Sequence, residues 1–286
     1  MLHDGPVPRT ATLSELSDVR AQALAGFGWE EYEKVRAKFT ARDRALEDFR
    51  KQEEVVLWFE HDLFDQLQLI QLLDWFAEHE MGKAKLSLIQ INSYPGVPQF
   101  HGLGQLSGPQ LARLFPLRRE VTSAQIATAQ KGWSAFCAEE PSALLEIARA
   151  DHPEMPFLAA ALQRFLEEYP WTSDGLSRTE RQVLQAAAAG RRKKADIYVE
   201  SSKKEETPWS DASVYLRMAW LKQGLNPALA ETQKDEFTIT DAGRQILEGQ
   251  ADWIKLRGCV DTWLGGVHLA GNQPQWRWHK EKKTLV

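Results

Sequence analysis

The chain has 286 residues and a mass of 32.5 kDa, a length that suggests about two domains. An apolar fraction of 43 % and a charged fraction of 26 % are ordinary globular usage and exclude wholesale disorder and fibrous folds. The net charge of −5 is uneven: residues 1–172 carry 17 Lys and Arg against 25 Asp and Glu, residues 173–286 carry 18 against 15, so a phosphate-backbone partner is disfavoured by the first stretch and only permitted by the second.

In chain order, residues 12–50 read as helix. Thr12 precedes Glu15 at capping-box spacing, and Leu13, Leu16, Val19, Ala23 and Leu24 follow at helical intervals. A second helix is expected from about Glu30, with Tyr32, Val35, Phe39 and Leu46 on one side. The continuous apolar run Glu54-Val-Val-Leu-Trp-Phe59 predicts a strand covered on both faces, as in a parallel sheet. Polar Glu60-His61-Asp62 follows, then a helix from Leu63 to about His79. Lys85–Ile91 is a second strand, ended by Asn92-Ser93-Tyr94-Pro95-Gly96. Ser107-Gly-Pro-Gln110 opens another helix, with Ser at the cap and Gln three residues on. Strand, helix, strand, helix argues for a parallel α/β layer.

From Thr122 to about Tyr169 the pattern is helical, broken at Pro141, Pro153 and Pro156, and Pro170-Trp-Thr-Ser-Asp-Gly175 is the best linker. Ser177 and Glu180 form a capping box. Weaker helix covers about 193–200, and another starts after Pro208. Phe237–Thr240 is a short strand, and Thr240 and Asp241 cap a helix containing Gly243. This order resembles a winged-helix domain. The tail predicts two short strands, Trp263–Leu269 and Trp276–Trp278, joined at Ala270-Gly271-Asn272. The expected fold class is therefore α/β: a parallel-sheet, three-layer α/β domain over 1–120, a helical connecting segment over 121–172, and a winged-helix-like domain with a C-terminal hairpin over 173–286.

No apolar run approaches the ~18 residues of a membrane span, and the first residues lack the basic-then-apolar profile of a secretion signal. Cys137 and Cys259 are too few and too far apart for a disulfide framework or a zinc knuckle, which makes a cytoplasmic setting the simplest expectation.

Several stretches carry a family resemblance. Leu2-His-Asp-Gly-Pro-Val-Pro8, Leu57-Trp-Phe-Glu-His-Asp-Leu-Phe-Asp-Gln-Leu-Gln-Leu69, Gly102-Leu-Gly-Gln-Leu106, Leu176-Ser-Arg-Thr-Glu-Arg181 and Trp263-Leu-Gly-Gly-Val-His-Leu269 resemble bacterial proteins that carry the "domain of unknown function 1835". The likeness covers nearly the whole chain and implies little about activity. Relatives usually begin with a strand, an Asn-Gly-Asp-Ser-like turn, a helix and a second strand leading into Leu-His-Asp-Gly-Pro. This chain begins at that segment, so the resemblance implies that the first strand and helix are absent.

Ligands of open parallel sheets bind outside the carboxyl ends of the strands. On that topology three polar clusters qualify: His3 and Asp4; Glu60, His61 and Asp62 with Asp65 and Gln66; and Asn92, Ser93 and Tyr94 with His101, Tyr94-Pro-Gly reading rather as a turn. Converging histidines and carboxylates suit general acid–base chemistry or a divalent metal. His61, Glu60 and Asp62 are the catalytic candidates, in hydrolytic or transfer chemistry on a small-molecule or nucleotide ligand. His3, Asp4, Asp65, Gln66, Asn92, Ser93 and His101 are the ligand-binding candidates. A plainer reading competes: Asp62 stands where a helix N-cap belongs and Asp65 where an acid favours the helix dipole. Whether the chain is an enzyme is left open.

Gly102-Leu-Gly104 ahead of a helix invites a phosphate-loop reading but lacks the third glycine of the dinucleotide fingerprint and the Gly-Lys-Ser/Thr of a P-loop. No Gly-x-Ser-x-Gly elbow and no zinc spacing occur, so the motifs name neither a cofactor nor a metal. The winged-helix reading makes a DNA-binding, transcription-related protein the alternative, with Arg191-Arg-Lys-Lys194, Lys203 and Lys204 on phosphates. The helix expected in the groove, about 209–222, carries only Arg217 and Lys222 as cations. The balance therefore favours packing or a protein partner. Six of the eleven tryptophans lie between 209 and 278 and are expected mainly in packing.

Overall fold

A computed structural model of the chain describes residues 1–10 and 12–286. The fold is mixed α/β, 48 % helix and 15 % strand, with small mixed sheets. The chain divides into two units: residues 1–163 with 265–267, and residues 164–264 with 268–286. Among the described residues no helix is long and apolar enough to cross a membrane.

The first unit opens with β1 (Gly5–Pro6), α1 (Leu13–Gly26) and α2 (Tyr32–Glu47). At the head of α1 the capping box forms: Glu15 N donates to Thr12 Oγ1 at 3.2 Å, and Thr12 N to Glu15 Oε2 at 3.1 Å. Then come β2 (Glu54–Phe59), α3 (Leu63–Ala77), β3 (Lys85–Gln90), α4 (Gly108–Leu114), β4 (Arg119–Glu120), α5 (Ser123–Phe136), α6 (Ser142–Arg149) and α7 (Leu158–Leu166). β2 pairs parallel with β3, from Glu54 opposite Lys85 to Phe59 opposite Gln90. β4 pairs antiparallel with the other side of β3, so the three-stranded sheet is mixed, in the order β2-β3-β4.

Side chains alternate across this sheet, as the pleat requires. Val56, Trp58, Ile89 and Ile91 join a cluster with Phe100, Leu106 and Leu114. Leu57, Phe59, Leu86 and Leu88, at the intervening positions, are also buried. This two-sided burial explains why both strands read as apolar runs. α3 is rich in apolar residues for a related reason, with Leu67, Leu69, Ile70 and Leu73 inaccessible to solvent.

The second unit contains α8 (Arg178–Ala188), α9 (Lys194–Ser202), α10 (Asp211–Leu221), β5 (Leu229–Gln233), β6 (Glu236–Ile239), α11 (Asp241–Leu247), α12 (Trp253–Arg257), most of β7 (Val260–Gly265) and β8 (Val267–Gly271), whose shared turn at 265–267 belongs to the first unit, and β9 (Trp278–His279) and β10 (Thr284–Leu285). Ser177 and Glu180 cap α8 reciprocally, and Thr240 caps α11. β5 and β6 form an antiparallel hairpin, with a further bridge from Lys193 to Glu236.

The tail departs from the expected hairpin at Ala270–Asn272. The chain reverses instead at Gly265-Gly266, between β7 and β8, and β9 pairs antiparallel with β10. The glycines explain the choice. Gly265 has φ +63°, and Cβ atoms added at 265 and 266 would fall 2.3 and 2.1 Å from the backbone oxygens of Phe136 and Cys137. Nothing lies within 4 Å of an added Cβ at Gly271. Cys137, at the end of α5, is buried, and burial pushes its thiol up to about 12; Cys259 is exposed.

A buried ionic network organises α8 and α10. Glu168 Oε1 accepts from Arg164 Nη1 at 2.8 Å and from Thr179 Oγ1 at 2.7 Å, and Arg217 Nε lies 3.6 Å from Glu168 Oε2. Glu205 in turn accepts from Arg164 Nε at 2.9 Å and Gln182 Nε2 at 2.6 Å. The guanidinium groups of Arg164 and Arg217 lie 4.5 and 5.4 Å from the Trp209 ring centroid. Replacing Glu168 by Leu removes the carboxylate shared by Arg164 and Arg217, the latter only 2 % exposed. The expected loss is about 3–5 kcal/mol in urea denaturation. Lys34→Ala, at an exposed i,i+3 pair with Glu31, leaves the midpoint nearly unchanged.

Candidate functional site

The parallel register decides what meets at the carboxyl edge. Ile91 N donates to Phe59 O at 3.3 Å, so Glu60, His61 and Asp62 leave β2 beside Asn92 and Ser93 leaving β3. Three carboxylates are then tied into local structure. Asp62 is the N-cap of α3 and accepts from Asp65 N at 2.8 Å. Asp65 Oδ2 accepts from Glu60 N at 2.5 Å. Gln66, fully buried, donates from Nε2 to Glu60 O at 2.6 Å and accepts from Gln90 Nε2 at 3.1 Å.

Glu60 itself turns to another segment, where its carboxylate accepts from Leu103 N. A Cβ on Gly102 would fall 2.0 Å from Glu60 Oε2, so this approach requires glycine. The Gly102-Leu-Gly104 stretch thus spends its amide on an internal carboxylate. His101 precedes it, and its backbone N donates to Gln105 Oε1 at 2.6 Å. Tyr94 sits in a turn closed by Val97 N to Tyr94 O at 3.1 Å. Gln90 is not a site candidate in the sequence, and Gly102-Leu-Gly104 stands out there only as a weak phosphate loop, not as a contact for Glu60. Gln90 closes a strand, and a backbone amide carries no sequence signature, although the glycine pair marks the loop.

His61 is partly exposed and flanked by aromatic rings, with ring centroids 6.4 Å from Phe100 and 6.1 Å from Phe157. His3 and Asp4 are both buried, with His3 Nε2 3.3 Å from Asp4 Oδ2. The His3 ring lies edge-on to Phe64 of α3 at 6.2 Å. Arg20 is buried nearby and donates to the backbone oxygens of Pro6 and Met1. Its burial lowers the guanidinium to about 10 against the pull of Asp4.

Electrostatics single out one group. Burial raises Glu60, with the charge of Asp62 adding to it and the Leu103 amide opposing it. Burial likewise raises Asp62, opposed by the Asp65 amide. Asp65 is pushed up to about 7 by burial and by the charges of Asp62 and Glu60, although Glu60 N–H stabilises its ionised form. A carboxyl that titrates near neutrality can give or take a proton at ordinary pH. Among the described residues no group of three or more His, Cys, Asp or Glu is placed to hold a metal ion.

On the second unit, the helix expected in a DNA groove is committed elsewhere. Ser213, Val214, Leu216, Arg217, Met218 and Leu221 of α10 are buried, and Lys222 pairs with Glu231. Arg191 and Lys203 both pair with Glu200, and Lys194 Nζ lies 3.9 Å from Asp235.

None of the family models, curated proteins or solved structures compared with the chain matches it.

The raised Asp65 carries a pH signature. Between its ordinary value of 3.8 and about 7, the folded protein holds a proton that the unfolded chain has lost. Its contribution to stability therefore falls as pH rises through that window, and the cost is complete above about 7. Asp65→Asn keeps an acceptor for Glu60 N and removes the titration. The difference in unfolding free energy, variant minus wild type, is expected to grow from pH 4 to pH 8. A flat difference places the Asp65 carboxyl in water.

Proposed function

We propose that the first unit binds a small polar ligand, of nucleotide or phosphorylated-metabolite type, at the carboxyl edge of β2 and β3. The second unit is read as an interaction module for a protein partner. The observation that carries this reading is the convergence at one strand edge of His61, Asn92 and Ser93 with a carboxyl, Asp65, titrating near neutrality. In this reading His61 meets the ligand and moves a proton in a hydrolytic or transfer step. Asp65 and Glu60 hold the loop geometry behind it, and Asp62 serves as the helix cap. The buried His3–Asp4 pair supports the start of α3 rather than the ligand.

Two finer architectural readings go with it. Burial on both faces of the β2–β3 sheet supports a three-layer α/β arrangement. The succession α8, Lys193 bridge, α9, α10, β5–β6 hairpin supports a winged-helix-like topology. Burial of α10 favours protein contact over groove reading for that topology. The likeness to the domain of unknown function 1835 remains a proposal resting on the stretches that surround the site.

The test is a thermal-shift panel of nucleotides, sugar phosphates, inorganic phosphate and divalent ions on wild type and His61→Ala. A ligand at 100 times its Kd is expected to stabilise wild type by about 2.7 kcal/mol and to lose most of that effect in the variant. Absence of stabilisation by every member of the panel sinks the proposal.

A further inference from the structure

The carboxyl edge of β2 and β3 is rich in acceptors and poor in positive charge. Glu60 accepts from Leu103 N, Asp62 accepts from Asp65 N at 2.8 Å, and Asp65 Oδ2 accepts from Glu60 N at 2.5 Å. Asp65 is half-buried, and among the described residues no donor reaches its other oxygen, Oδ1. The charges that act on the three carboxyls are one another's and, at Asp62, that of His61; no lysine or arginine figures among them. The backbone loop that would suit an anion already gives the Leu103 amide to Glu60. An anion brought to this edge therefore meets like charge without a counter-ion, whereas an N–H donor meets an acceptor whose hydrogen bond is charge-assisted. The edge also carries rings. His61, next to the cap Asp62, has its ring centroid 6.1 Å from Phe157 and 6.4 Å from Phe100. Phe100 is buried in the cluster with Ile89, while His61 and Phe157 are half-buried and keep part of their surface open.

Granted the ligand site at this edge, on which the proposal rests, we propose that the part of the ligand that enters it is an amino-bearing nitrogen heterocycle of nucleobase type, packed against the His61 and Phe157 rings with an N–H donating to Asp65 Oδ1. A flat heterocycle meets both demands at once, because its faces stack on aromatic side chains and its edge carries the N–H groups. Any phosphate on the ligand points away from the carboxyls into solvent. A nucleotide is thus held by its base, and a phosphorylated sugar without a base is not held.

The test is calorimetric titration of the full chain with adenosine, guanosine and cytidine, their 5′-monophosphates, ribose 5-phosphate and inorganic phosphate, at about pH 8, above the Asp65 titration. Expected is that at least one nucleoside binds, that its monophosphate binds no more tightly, and that the two phosphates without a base do not bind. Asp65→Asn keeps an acceptor for Glu60 N and turns an amide N–H outward where Oδ1 stood. It is expected to weaken nucleoside binding about tenfold or more. Phe157→Leu removes a ring, leaves the Asp65 carboxyl in place and is expected to weaken binding about tenfold. Should the first variant fail to fold, the second decides. Binding of ribose 5-phosphate or inorganic phosphate that His61→Ala abolishes, or of a monophosphate about tenfold tighter than its nucleoside, overturns the proposal and leaves the ligand site standing. A nucleoside affinity indifferent to both substitutions overturns it as well. If no member of the panel binds, the site itself falls and the proposal with it.

Discussion

The parallel pairing of β2 with β3 is the constraint on which the first unit depends. A parallel pair needs cover on both faces and a crossover between its strands. That need accounts for the apolar α3, for the cluster around Ile89 and Phe100, and for the side-chain alternation along both strands. The same register brings two chain segments out at one edge, which is why polar groups distant in sequence become neighbours there. Shifting one strand by a single residue moves Leu57 and Phe59 to the opposite face.

The second unit is governed differently. Its helices close around charge: Arg164, Glu168, Glu205 and Arg217 are sequestered, with both guanidinium groups near the Trp209 ring. Such a network stabilises little on balance, because desolvating each ion offsets most of the attraction. Its geometric demands are strict, however, and a helix that supplies one of its members is fixed in rotation about its axis. That rotation buries most of α10, and with it the cation that would otherwise reach toward a polyanion.

Local chemistry was the most legible part of the sequence. The Thr12–Glu15, Ser107–Gln110 and Ser177–Glu180 spacings name helix starts because the reciprocal hydrogen bonds need only four consecutive residues. β2 and β3 were visible as apolar runs. β5 is not legible in the sequence: Leu229-Ala-Glu-Thr-Gln is largely exposed, and its turn places Asp235 at φ +59° where glycine or asparagine would announce it. The tail was misplaced for a related reason, since what selects Gly265-Gly266 as the turn is the backbone of a distant helix end. At the site, sequence placed His61, Asp62 and Asp65 at the strand edge. It could not show that Glu60 turns away to the Leu103 amide, or that Arg217, a surface cation by composition, is buried.

The contrast between the two thiols has a practical side. Cys137 is sealed and held protonated far above physiological pH, so it is a poor nucleophile, while Cys259 faces solvent. The native chain thus offers one accessible attachment point, in the second unit, for a maleimide dye or spin label. Distances and motions of that unit can be followed spectroscopically without first removing a cysteine.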